Sequence, residues 1–244
     1  MPTALTTRQK IILQAVVEKY VDQATPVSSE ELMQETGLAV SSATIRNELM
    51  ALEDLGYLTH PHTSAGRIPT EQGYRFYVAQ HVSGNKKSRR HVPALEQTVR
   101  GADDTADALK LLAKKVAELT QGAALIGFAP RQVYYTGLSY LFAQPEFHEA
   151  ALMIRMGELL DHLDEVMAEV YNLVPSEALV LIGQDNPFSH DCGSVLVRLN
   201  IPGSGPNIFG IIGPMRMDYL ANTALLLSVR EIVESGELGI SAKG

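Results

Sequence analysis

The sequence predicts an α+β protein in two parts: an N-terminal winged helix-turn-helix, then a layer of strands and helices. Three observations carry that prediction. The first 80 residues run through an amphipathic helix, a break, a short helix, a tight turn and a longer helix, then a polar hairpin tip. The later residues hold five apolar, strand-like runs bounded by Gly, Pro, Asn and Asp. Between the two lies Gly84-Asn85-Lys86-Lys87-Ser88-Arg89-Arg90-His91, a basic connector closed by Pro93. The expected domains are residues 1–80, a linker over 81–93, and a second domain over 94–244.

The first helix is expected from Thr7 to about Val21, where Ile11, Ile12, Ala15, Val16 and Tyr20 form an apolar stripe. Ala24-Thr25-Pro26-Val27 breaks it, because proline disfavours a helical predecessor and cannot sit inside a helix. Ser28 or Ser29, with Glu31 or Glu30, supplies a cap for a second helix that stops at Gly37. Ser41 or Ser42 then caps a third helix reaching Gly56.

That third helix has two distinct faces. Ile45, Leu49 and Leu52 lie in a narrow arc and point inward with Leu55, whereas Ala43, Asn47 and Met50 lie opposite, flanked by Arg46. Arginine matches guanine O6 and N7, and asparagine matches adenine N6 and N7, so this face suits a DNA major groove. Ser41, Ser42 and Thr44 at the helix start suit phosphates or thymine methyls. A merely solvated outer face accounts for the helix equally well. The segment that follows favours the groove. Tyr57-Leu58-Thr59-His60 is a short strand, Pro61 to Pro69 is a hairpin tip, and a helix resumes at Thr70. A hairpin after a helix-turn-helix is a wing, whose His62, Thr63, Ser64 and Arg67 would meet the backbone or minor groove. Tyr74 and Arg75 are placed with them as phosphate contacts, although Tyr74, Phe76 and Tyr77 suit packing the wing on the core better.

The runs Ser42-Ala43-Thr44-Ile45-Arg46-Asn47-Glu48-Leu49, Leu52 to Leu58, Pro61 to Thr70 and Gly73 to Val78, with Val27-Ser28-Ser29 and Gly37-Leu38 before them, resemble the heat-inducible transcription repressor HrcA family. That resemblance implies a homodimeric repressor of chaperone operons. It would bind double-stranded DNA at the inverted-repeat operator called CIRCE and be tuned by the GroEL chaperonin.

In the second half a helix is expected from Ala94 to Leu119, with Gly101-Ala102-Asp103-Asp104 as an interruption. Strands are expected at 123–128, 133–136, 178–183, 194–199 and 208–212, the last two joined by a Pro202-Gly203-Ser204-Gly205-Pro206 hairpin. Helices run from about Glu149 to Leu173 and from Asp218 to Ser235, giving a sheet with helices on one side. Gly137 to Phe147, Ile182 to Asn186, Cys192 to Val195 and Gly210 to Tyr219 again resemble HrcA, where they belong to a GAF-like domain interrupted by an inserted dimerisation domain. Here the chain passes from Phe128-Ala129-Pro130 to Val133 in a few residues, where the family carries further strands and the insert. The expected domain is therefore a reduced GAF-like one.

Composition narrows the function classes. With 244 residues, 45% hydrophobic and 20% charged, the chain is neither disordered nor fibrous. It lacks a signal pattern and a membrane span, and one cysteine fits a reducing cytoplasm, so a cytoplasmic protein without membrane partners is expected. The net charge of −8 divides unevenly: 10 cations and 9 anions up to His91 leave +1, and 10 against 19 beyond it leave −9. Only the first half is thus suited to a polyanion.

Enzymatic readings are weak. Cys192 beside His190 and Asp191 is better explained as a core residue than as a nucleophile. His60 and His62, with His81 or His91, make thin evidence for a metal. Glu158, Asp161, Asp164, Glu165 and Glu169 form a solvated helix face. Gly213 to Asp218 suits an anion at a helix start, or else Asp218 caps the helix and Arg216 pairs with an acidic neighbour. No cofactor and no catalysis are expected. The alternative function is a chaperonin-interacting or ligand-sensing regulator whose operator binding is altered or lost.

Overall fold

A computed structural model describes residues 5–61, 66–82, 90–201 and 205–235. The chain divides into two compact units, 1–83 and 84–244.

In the first unit, helix α1 (Thr7–Gln23) starts at a reciprocal cap in which Thr6 Oγ1 accepts from the Gln9 amide and the Gln9 side chain accepts from the Thr6 amide. Its buried stripe is Ile12, Leu13, Val16 and Val17, one residue round from the expected one, and Ile11 lies outside at 38% exposure. Helix α2 (Ser29–Glu35) begins at Ser28 with Glu31 as its reciprocal partner, and α3 (Ser42–Asp54) begins at Ser41. Strands β1 (Leu58–Thr59) and β2 (Ile68–Pro69) pair antiparallel and lead into α4 (Glu71–His81), capped by Thr70. The core is built from Leu32, Ile45, Leu49, Leu52, Leu58, Tyr74 and Tyr77 with the α1 stripe.

One pairing was not anticipated. Val27 bonds Arg67 in both directions, N to O at 2.9 Å and O to N at 2.8 Å, adding a third rung to the wing sheet. The segment expected only to break a helix is thus also an edge of the sheet. The backbones approach so closely that a Cβ on Gly66 would stand 2.4 Å from the Val27 carbonyl oxygen, which only glycine permits.

The second unit opens with two helices, α5 (Val92–Val99) and α6 (Thr105–Thr120), divided at the interruption expected over Gly101 to Asp104. Gly101 at φ +103° turns the chain, and Asp104 restarts it by accepting from the Asp107 amide at 2.8 Å. Strand β3 (Ala123–Ala129) returns through Pro130-Arg131 directly into β4 (Gln132–Thr136), the junction where the family resemblance implies intervening strands. Helix α7 (Leu138–Phe142) and a 3-10 turn at Pro145–His148 follow. The expected helix over 149–173 is also two, α8 (Ala150–Asp161) and α9 (Leu163–Val170), broken at His162. Strands β5 (Leu179–Ile182), β6 (Cys192–Leu199) and β7 (Asn207–Pro214) precede α10 (Tyr219–Glu234). The turn tip at 202–204 lies outside the described residues.

These strands form one antiparallel sheet in the order β4-β3-β7-β6-β5. The sheet carries helices on both faces, not on one as expected. On one face Cys192, Leu196, Ile208 and Ile212 pack with Leu152, Met156 and Leu159 of α8 and with Met167 and Val170 of α9. On the other, Gly193 lies directly under the Tyr219 ring of α10, which packs with α5 and α6. The physical reason is in β6 and β7, where nearly every residue is buried. A strand buried on consecutive residues has both sides covered.

Candidate nucleic-acid interface

The candidate surface starts at the N-terminus of α3. Ser41 Oγ accepts from the Thr44 amide at 3.2 Å and lies 3.0 Å from Thr44 Oγ1, so both hydroxyls are engaged in starting the helix. Ser42 is the first helical residue and is half-buried. With Ile45, Leu49 and Leu52 turned inward, Ala43, Arg46, Asn47 and Met50 are left exposed on the outer side. The side chains of Arg46 and Asn47 make no hydrogen bond or ion pair with another described residue. By contrast Glu48, next in sequence, is held by Arg8 at 3.1 Å. A bidentate donor set stands ready on the helix without an internal partner to surrender.

The wing is fastened to the far end of this helix. Glu53 takes His60 Nδ1 on one carboxylate oxygen and the Arg67 guanidinium on the other, the latter at 2.7 Å. His60 follows β1 and Arg67 precedes β2, so one α3 carboxylate ties both wing strands. Arg67 was expected to point toward a groove; here its side chain is only 19% exposed and turned to Glu53. Tyr74, expected among the phosphate contacts, is 2% exposed and belongs to the core, a burial that removes its side chain from the surface. Arg75 is paired within its own helix to Glu71 at 2.5 Å. Tyr57 meets Phe76 edge-to-face with centroids 5.4 Å apart, which packs the wing base on α4. His62, Thr63 and Ser64 lie outside the described residues.

Sequence reasoning missed Glu53 as the organiser. Its signal was weak: an acidic residue at the third helix's end with a histidine and an arginine bracketing the hairpin. Its neighbour Glu48 looks the same in sequence but pairs with Arg8.

The other candidate sites resolve into structural roles. Cys192 is fully buried, and burial pushes its thiol up to about 12, far from the thiolate that a nucleophile requires. Its neighbour Asp191 pairs instead with Arg155 at 2.8 Å. Among the described residues, no three His, Cys, Asp or Glu side chains gather as a metal group. Asp218 caps α10 by accepting from the Ala221 amide at 2.9 Å, and Arg216 is held by Glu146 and by Gln144 at 2.7 Å. That arrangement leaves no anion site at the helix start. Beside Glu158, an open cleft of about 570 Å³ is lined by both polar and apolar groups, including Arg155, Asp185, His190 and Leu159. No helix among the described residues is long and apolar enough to cross a membrane.

Comparison with known proteins gives this geometry its context. The HrcA protein C terminal domain family matches residues 72–221, and the LexA DNA binding domain family matches residues 2–66. A heat-inducible transcription repressor HrcA of Chloroflexus aurantiacus is 59% identical over 78 residues, covering 32% of this chain and 21% of that protein. The protein of the same name from Pseudarthrobacter chlorophenolicus is 42% identical over 121 residues, covering 50% of this chain and 36% of its own length. The chain thus spans between a fifth and just over a third of these two relatives. A solved structure described as that of a hypothetical protein at 2.2 Å resolution shares the fold, with TM-score 0.77 and 18% identity over 98% of this chain and 100% of that one.

Proposed function

The chain belongs to the HrcA family, and on that premise we propose that it is a sequence-specific DNA-binding transcriptional repressor of heat-shock operons. The observation that carries the proposal is the outer face of α3, where Arg46 and Asn47 are exposed and engage no other described residue. In the proposed complex α3 lies in the major groove. Arg46 donates two hydrogen bonds to a guanine edge and Asn47 pairs with an adenine edge. The start of the helix, with Ser41, Ser42 and Thr44, faces phosphates, where free backbone N–H groups and the helix dipole favour an anion.

Arg67 and His60, joined through Glu53, hold the wing at a set angle to the reading helix. The wing tip, with His62, Thr63 and Ser64, reaches the neighbouring backbone, and Arg75 adds a phosphate contact. Two copies on a CIRCE-type inverted repeat would place two α3 helices in successive major grooves and exclude polymerase sterically. The chaperonin GroEL is the proposed partner that tunes this activity. The relatives named above support the reading by their printed name, heat-inducible transcription repressor.

The test is a titration of the full chain against the inverted repeat and a scrambled duplex at one stated salt concentration. Preference for the repeat that is reduced by Arg46→Ala and by Asn47→Ala supports the proposal. Equal binding to both duplexes refutes it.

A further inference from the structure

We propose that the outward face of α8 is the surface through which two copies of this chain pair, helix against helix and antiparallel. The inference deepens the repressor reading and rests on it in one respect: an inverted repeat calls for a two-fold dimer.

Helix α8 is apolar on two opposite sides. Leu152, Met156 and Leu159 are buried against the sheet. On the other side Ala150, Met153, Ile154 and Gly157 are exposed, Met153 at 48% and Ile154 at 64%. Single exposed apolar side chains are ordinary. Four at spacings of three and four residues form a continuous stripe along one helix face, the pattern of a helix that packs on both sides.

Gly157 sharpens the point. A Cβ placed there meets no atom within 4 Å, and its backbone is not left-handed, so nothing inside the unit requires glycine. A glycine within a helix weakens it relative to alanine. Its use is as a notch on the outer face, one helical turn from the Ile154 side chain.

Charge then selects the occupant. The N-terminus of α8 has no side-chain cap, and its exposed N–H end attracts negative charge. At the other end, Asp161 continues the same stripe, and its carboxylate makes no hydrogen bond or ion pair with another described residue. A carboxylate at a helix C-terminus is placed against the dipole. An antiparallel second copy answers both ends together. The register that sets Ile154 into the Gly157 notch of the second copy also sets each Asp161 beside the other copy's Ala150. Both pairs occur twice, as two-fold symmetry demands. A partner of different sequence would have to supply that complement separately.

One face of a three-turn helix buries far less than the roughly 800 Å² per partner of a standard stable interface. The dimer is accordingly weak in free solution and concentration-dependent. Two half-sites on one duplex would strengthen it by raising the effective concentration of the second copy.

Sedimentation velocity of the full chain across a wide concentration range tests this. The expected result is a monomer–dimer equilibrium whose dissociation constant rises at least tenfold in Ile154→Glu. Gly157→Leu should also abolish the dimer while leaving the melting temperature unchanged or higher, because the notch is filled but the helix gains. Circular dichroism of both variants checks that each is folded. A wild-type chain that is monomeric at every concentration, or a dimer that survives either substitution, overturns the proposal. Binding to a duplex carrying one half-site separates the two readings. If it stays intact in Ile154→Glu, loss of the dimer is not loss of DNA recognition. If no duplex is preferred while the dimer behaves as expected, the repressor reading fails and the α8 interface stands.

Discussion

Arg46 and Arg67 share a side-chain type but meet different surroundings. Arg46 is exposed on α3 and engages no other described residue, whereas Arg67 is largely covered and faces Glu53. The outward direction of Arg46 and Asn47 was legible, because a period of 100° per residue sorts Ile45, Leu49 and Leu52 from their neighbours. The partner of Arg67 was not, because an ion pair across a hairpin depends on how the hairpin folds back, which periodicity does not encode. Tyr74 shows the same limit: an aromatic in a mixed helix suits both the surface and the core until its neighbours are known. Two outcomes follow at this scale. Arg46→Ala is expected to remove about 1–3 kcal/mol of discrimination at one base position. A uniform loss on all sequences, read from a panel of single-base variants, would reduce Arg46 to a phosphate contact. Glu53→Gln should lower the thermal stability of the first unit by about 1 kcal/mol, since it weakens two charge-assisted contacts that are partly screened by solvent. Unchanged melting would mean that the wing holds its angle without them.

At the scale of elements, the starts of helices were the most readable features. Ser28 with Glu31, Ser41 with Thr44, and Asp218 with Ala221 form local hydrogen bonds within four residues, and such bonds are written in adjacent sequence. Ser28→Ala should therefore cost about 1 kcal/mol, measured by denaturant unfolding. The Ser28 backbone amide, and then its hydroxyl, hold the Glu31 carboxyl below the usual carboxylate range. A group lowered in the folded state stabilises above its unfolded value, near pH 4.5, and ceases to do so as pH falls through the folded value. Glu31→Gln keeps an acceptor but no longer titrates, so unfolding followed from about pH 6 down to about pH 3 should slope less steeply than in the wild type. An identical acid limb would contradict the role assigned to this carboxylate.

Helix ends without a short-range partner were harder to place. The break at His162 divides an expected helix with no glycine or proline to mark it, whereas the interruption at Gly101 is marked by its own glycine. The Val27–Arg67 bridge was hidden for a related reason: it joins residues forty apart in sequence through backbone atoms alone. Gly66→Ala tests its importance. A Cβ against the Val27 carbonyl must displace backbone, so a loss of about 1–3 kcal/mol is expected in the first unit. A neutral result would show that the wing can shift without cost.

Across the whole molecule, composition and charge told more about division than about layers. The uneven distribution of acidic residues separates the part proposed to meet DNA from the rest, and the chain forms two compact units. The covering of the sheet is not legible in single strand runs, because β6 and β7 show their double burial only once paired at the centre. The chain turns directly from β3 into its neighbour β4, the edge strand of the five-stranded sheet, with a register irregularity between Gly127 and Ala129.

The exposed face of α3 is proposed to read a specific DNA sequence. Fluorescence anisotropy of the full chain on a CIRCE-type inverted repeat and on a scrambled duplex of equal composition, over a salt series, tests it most directly. The predicted result is a preference for the repeat of roughly 10³-fold or more at physiological salt. Arg46→Ala should shrink that preference, while the salt slope, set by phosphate contacts, stays nearly the same. Equal affinity for both duplexes at every salt concentration, unaffected by Arg46→Ala, would contradict it.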